Sequence, residues 1–172
     1  GVGVDAAERG DLIHQALAVL WQELGDQHAL KALDPSGVVA AVRRAIETAL
    51  DEARRSADDL MRHLLDLEAS WLEARVLEML EVDRARAPFI VEAVEAPRKA
   101  RFGALTLDLR LDRVDRLADG SLAVIDYKTG SPRVAGWLGE RPDDPQLPLY
   151  ALAAGDDVAA VAFACLKKGQ LG

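Results

Sequence analysis

Cysteine and long apolar runs are scarce in this 172-residue chain, and each scarcity excludes something. A single cysteine, Cys165, can build neither a disulfide framework nor a multi-cysteine metal cluster, and it fits a reducing, cytoplasmic setting best. No apolar stretch approaches the roughly 20 residues that span a bilayer, so no membrane partner is expected. The first residues, Gly1 to Arg9, have neither the basic nor the apolar region of an export signal. Basic residues are short as well, 21 against 29 acidic, for a net charge of -8. Taken whole, that balance argues against a nucleic-acid partner, because backbone binding rests on Lys and Arg neutralising phosphates. What the chain does have is 50% hydrophobic residues, enough for one domain with a real core and too little length for two full-sized ones.

The charge is uneven. Residues 1–83 hold 17 acidic and 8 basic side chains, net -9, whereas residues 84–172 hold 12 and 13, net +1. The acidic half reads as helix, with Ile13, Leu17, Leu20 and Leu24, then Val39, Val42, Ile46 and Leu50, then Leu60, Leu64, Leu67 and Trp71 at helical spacing. Three packed helices are predicted. Asp34-Pro35 supplies an N-cap and a first-turn proline for the second, and Ser56 to Asp59 a capping box for the third. The second half changes period. Phe89 to Glu95 is a short apolar run between Pro88 and Pro97, and from Leu105 to Asp112 every odd position is Leu and every even one polar. Ser121 to Lys128 is apolar on both faces until it meets Asp126, as a central strand would be. A Gly- and Pro-containing loop follows from Thr129 to Arg141, a helix opens at Asp144-Pro145, and Val158 to Leu166 is a last strand. The order predicts a mixed α/β domain.

Asp126 and Lys128 are two apart in a strand, so both point to one face while Tyr127 points to the other. A carboxylate and an ammonium at the end of a buried strand are costly unless something exploits them. Asp112 ends the preceding strand. A three-residue loop, Ala118-Asp119-Gly120, would pair Leu117 with Ser121 and set Asp112 opposite Asp126; a two-residue Asp119-Gly120 turn would pair Asp112 with Tyr127 and separate the carboxylates. Two facing carboxylates are relieved by a shared proton or a divalent cation, and hard oxygen ligands with room for water suit Mg²⁺. The competing reading is a surface salt bridge between Asp126 and Lys128 beside an unrelated Asp112.

Four segments then occur in order: Gly10-Asp11-Leu12-Ile13-His14, Leu111-Asp112-Arg113-Val114-Asp115-Arg116, Ile125-Asp126-Tyr127-Lys128-Thr129-Gly130 and Gln146-Leu147-Pro148-Leu149-Tyr150-Ala151. Together they resemble the motifs of RecB-type nucleases of the PD-(D/E)XK superfamily, and most of all the nuclease domains of AddB-like recombination and repair proteins. The resemblance implies a restriction-endonuclease-like mixed sheet core, αβββαβ, with an N-terminal helical insertion over residues 30–82. It implies one nuclease domain over residues 1–172, read as excised from a larger protein and working beside a helicase or helicase-like domain. By it, His14, Asp112, Asp126 and the backbone carbonyl of Tyr127 bind Mg²⁺, with Mn²⁺ as a substitute; Asp112, Asp126 and Lys128 are catalytic; and Gln146 and Tyr150 support the site or contact DNA. Arg98 and Lys99, with Arg101, Arg110, Arg113 and Arg116, form a basic stretch expected to track phosphates, the alternative being a solvated strand edge protected by charge. Glu92 and Glu95 are candidates for an extra carboxylate.

Two departures stand out. Leu109 occupies a position where the family usually has glycine, and one cysteine cannot build the iron–sulfur cluster of many AddB-like domains, which places the chain in a cluster-free branch. The expected activity is that of a Mg²⁺-dependent deoxyribonuclease, read as an exonuclease. The competing function is a catalytically silent nuclease-fold module that binds DNA or a partner subunit, and a histidine-and-two-carboxylate iron oxygenase is a third that leaves Lys128 and the Gln146 helix unexplained.

Overall fold

The computed structural model describes residue 4 and residues 6–102, 105–128 and 158–165. Helix α1 spans Ala6–Leu24 and buries Leu12, Ile13, Ala16, Leu17 and Leu20. It stops at Gly25, whose positive φ of 77° would strain any side-chain-bearing residue and whose N–H closes on the Trp21 carbonyl at 2.9 Å. Asp26 then caps a short α2, Gln27–Ala32, by accepting from the Ala29 N–H at 2.7 Å. Nothing in the sequence pattern announces this helix, because six residues are too few to show a period.

Helix α3, Pro35–Ser56, starts where the sequence places it: the Asp34 side chain accepts from the Gly37 N–H at 2.7 Å and Pro35 fills the first turn. Its buried stripe alternates Val38, Val42, Ile46 and Leu50 with Ala41, Ala45 and Ala49, small residues that let neighbouring helices approach closely. Helix α4, Asp59–Ala85, corrects two expectations. Asp58 alone is the cap, accepting from the Met61 N–H at 2.8 Å, while the anticipated Ser56 still belongs to α3. The buried face carries Leu65, Leu72, Val76, Met79 and Leu80, whereas Leu60, Leu67 and Trp71 of the anticipated stripe are 57%, 63% and 37% exposed.

The strands β1 (Phe89–Phe102), β2 (Leu105–Leu117), β3 (Leu122–Lys128) and β4 (Val158–Cys165) form one sheet in the order β1-β2-β3-β4. The first two pairings are antiparallel and β3–β4 is parallel. Strand β1 continues through Pro97 instead of ending before it, which an edge strand allows because proline removes no bond between two neighbours. A register shift between Val91 and Ala93 bulges β1 at Glu92. Parallel β3 and β4 require a crossover connection rather than a hairpin; the helix expected from Asp144 lies outside the described residues.

The hairpin between β2 and β3 has the longer of the two candidate loops. Arg113 pairs with Ile125 and Arg116 with Leu122, the Leu117 N–H donates to the Ser121 carbonyl at 2.8 Å, and Gly120 takes the left-handed position at φ 85°. Phe89, Ile125 and Tyr127 join the buried residues of the four helices in one hydrophobic cluster, so one face of the sheet is packed on the helical layer. Among the described residues no helix is long and apolar enough to cross a membrane.

Candidate active site

One step beyond the Arg113–Ile125 pair, the register sets Asp112 across from Asp126. On the other side of β2, between the Val94–Arg113 and Ala96–Leu111 pairs, Glu95 lies across from Asp112. Three neighbouring strands therefore each bring a carboxylate to one row. From α1, His14 reaches the same place: its Nε2–H donates to the Tyr127 carbonyl at 2.9 Å and its Nδ1 stands 3.5 Å from Asp112 Oδ1. The second Asp112 oxygen accepts from the Tyr127 N–H at 2.8 Å. His14, Glu95 and Asp112 can each offer a ligand atom within 4.8 Å of the others. They open on a cleft of about 490 Å³ between α1, α3 and the sheet, whose wall also carries Asp11, Glu52 and Arg110.

Burial dominates the electrostatics here. Asp112 is 8% exposed and Asp126 3%. Desolvation pushes the Asp112 carboxyl up to about 6; His14 and the Tyr127 N–H pull it down, and Asp126 and Glu95 push it further up. Once Nε2–H is committed to the Tyr127 carbonyl, a neutral imidazole leaves Nδ1 as an acceptor facing an acceptor oxygen of Asp112. Such a contact calls for a proton or a cation. The donor set, an imidazole, a peptide carbonyl and carboxylate oxygens, suits a divalent ion.

The sequence singles out Glu95 only together with Glu92, and the fold separates them. Glu92 sits at the bulge and pairs with Arg116, whereas Glu95 lines the cleft and pairs with Arg110 at 2.6 Å. Glu95 also has φ 49°, a left-handed conformation that a glutamate seldom adopts, so the backbone is held against its preference where the carboxylate meets Asp112.

Arg113 is a correction. Instead of tracking phosphates it is 1% exposed, with both edges of its guanidinium committed to Asp83 and Asp115 and its face 4.3 Å from the Trp21 ring. A phosphate cannot reach it. Burial opposes its charge, but Tyr127, Asp115 and Asp83 outweigh that and hold it protonated. The odd-numbered parity of Leu105 to Leu111, continued two steps, points Arg113 and Asp115 into the apolar face, and that signal is present in the sequence. Arg116 is half exposed and binds Glu92 and the Gly120 carbonyl. Lys99 is on the far, exposed part of β1, 3.8 Å from Asp108, and the side chain of Arg98 lies outside the described residues. Lys128 closes β3 in register with Cys165, and its side chain also falls outside them, as do Gln146 and Tyr150 entirely.

A comparison against known families finds one match. Residues 2–169 match the family model of the PD-(D/E)XK nuclease superfamily, whose members typically use divalent metals. Among curated proteins none matches the chain. The match covers nearly all of the sequence, and the mixed α/β architecture is consistent with a restriction-endonuclease-like fold. The chain belongs to the PD-(D/E)XK nuclease superfamily.

Proposed function

We propose that this chain is a Mg²⁺-dependent deoxyribonuclease, the nuclease module of a RecB-type, AddB-like recombination or repair protein that works beside a helicase in the cytoplasm. In this reading residues 1–172 are one nuclease domain, residues 30–82 are an insertion of helices within it, and cutting is exonucleolytic. The observation that carries the proposal is the convergence of His14, Glu95 and Asp112 on one point, next to a peptide carbonyl and in register with Asp126.

His14, Asp112, Asp126 and the Tyr127 carbonyl would hold the ion, with Glu95 beside them. A divalent ion bound there supplies an acidified water and positive charge against the phosphodiester. Asp112 keeps one oxygen on the Tyr127 N–H, which fixes the direction of the other towards His14. Lys128 polarises the water or the phosphate, and Gln146 and Tyr150 support the site. Arg98 and Lys99 contact the backbone further along the strand, while Asp11 and Glu52 repel phosphates from the helical wall of the cleft.

The test is cleavage of linear single- and double-stranded DNA with Mg²⁺ or Mn²⁺. Activity is expected in the wild-type protein and absent in Asp126→Ala and Lys128→Ala. Cleavage that survives both substitutions would sink the assignment, and an inactive wild-type protein that binds DNA without any divalent ion would support a silent module instead.

A further inference from the structure

On the same strands, where side chains of the other parity meet Trp21 of α1 and Asp83 of α4, lies a buried cluster that the proposed chemistry does not use. Arg113 Nε donates to Asp115 Oδ1 at 2.6 Å, Nη2 to Asp115 Oδ2 at 2.7 Å and Asp83 Oδ1 at 2.9 Å, and Nη1 to Asp83 Oδ2 at 2.9 Å and the Tyr127 hydroxyl at 3.2 Å. All five guanidinium N–H groups are thereby used. Arg86 adds 2.8 and 2.9 Å bonds to the same two carboxylates, so two arginines balance two aspartates. The rings of Trp21 and Phe89 stand 4.3 and 4.8 Å from the Arg113 guanidinium. A buried ionic group of this kind is a weak source of stability, and its better-attested use is to fix one arrangement among several.

The arrangement it fixes is that of Tyr127, each of whose polar groups is engaged. The hydroxyl meets Arg113 in the box, the N–H meets Asp112, and the carbonyl meets His14. The alternation of side chains along the hairpin puts Arg113, Asp115 and Tyr127 on one parity and Asp112 and Asp126 on the other. The box and the row of carboxylates are thus the two faces of the same few residues. Asp83 reaches the box from the last turn of α4, so a helix with no residue in the cleft is tied to the strand that forms it.

We propose that Arg113, Asp83 and Asp115 are positioning residues for the cation site: the box holds Tyr127 so that its carbonyl faces His14 and its N–H faces Asp112, and this preforms the ligand set. The inference rests on the reading of the cleft as a cation site. Groups that orient metal ligands from behind typically change metal affinity by about 10- to 100-fold when lost.

The experiment is Mn²⁺ binding, followed by the electron paramagnetic resonance of free ion, on the full chain and on Tyr127→Phe, Asp83→Asn and Leu72→Ala. Leu72 is fully buried on α4 outside the box, so its truncation lowers stability alone. Each protein is assayed at a temperature where its circular dichroism is native. The expected result is a roughly tenfold weaker Kd in Tyr127→Phe and Asp83→Asn, with Leu72→Ala within twofold of wild type. Should Asp83→Asn not fold, Tyr127→Phe, which removes one hydroxyl, decides alone. Wild-type affinity in Tyr127→Phe, or an equal loss in Leu72→Ala, overturns the positioning role and leaves the cation site standing. Failure of the wild-type protein to bind Mn²⁺ overturns both.

Discussion

Asp112→Asn is expected to raise the stability of the metal-free protein while abolishing its use of a divalent ion. The carboxyl titrates near 6 in the folded chain against 3.8 for a free aspartate, chiefly because it is buried. A folded-state pKa above the unfolded one means that protonation favours folding, so this group's favourable contribution is complete below about pH 3.8 and lost as the pH rises through about 6. Every tenfold change in the proton's binding constant is worth about 1.4 kcal/mol, so at pH 7.5 the ionised side chain costs the metal-free fold up to ~3 kcal/mol. Asparagine carries no charge, still accepts the Tyr127 N–H, and offers an NH₂ to the Nδ1 acceptor of His14. For a chain of this size the gain corresponds to a rise in Tm of the order of 5–10 °C. Thermal unfolding with a chelator at pH 4.5 and 7.5 measures it: the variant should lead at pH 7.5, and the gap should shrink at pH 4.5. Adding Mn²⁺ should stabilise only the wild-type protein. A variant less stable than wild type at pH 7.5 without metal would refute the electrostatic reasoning.

Two further outcomes follow from the same geometry. Gly120→Ala forces a side-chain-bearing residue to φ 85° with nothing within 4 Å of the new methyl, so it should cost about 1 kcal/mol in urea unfolding and leave Mn²⁺ affinity unchanged, since the register is also held by the β2–β3 bonds. Reversing Arg98 and Lys99 to glutamate should weaken DNA binding and flatten its salt dependence; an unchanged slope of log K against log salt would return both residues to the role of charged strand edge.

Much of the fold can be read in the sequence wherever a short-range rule decides the outcome. Asp34-Pro35 acts within a few residues, and the helix start it announces is the one formed; Asp119-Gly120 announces a hairpin, and of its two candidate registers the one with the longer loop is formed. The pairing of Asp112 with Asp126 follows from the longer of the two candidate loops, whereas Glu95 joins the row through the β1–β2 register and His14 through the packing of α1. What escapes depends on the rest of the molecule. Pro97 reads as a strand end because the position of β1 at the sheet edge cannot be seen locally. Helix α4 is apolar on two sides, and periodicity does not say which one meets a neighbour; Leu65 and Leu72 are buried while Leu67 and Trp71 are not. Charge assigns Arg113 to the surface, although its parity points inward. Asp83, its partner, is 30 residues away in another element, and no spacing rule connects them.

The alternation that sends Arg113 and Tyr127 to one side and Asp112 and Asp126 to the other gives the hairpin a reading frame. One residue gained or lost inside either strand would slide ligands into the ionic box and box residues into the cleft, and both would fail together. The loop at 118–120 lies outside that frame. When divergent members of the superfamily are aligned across this hairpin, gaps therefore belong in the loop, and an alignment that opens one between residues 111 and 117 or 122 and 128 has matched the wrong faces of the sheet.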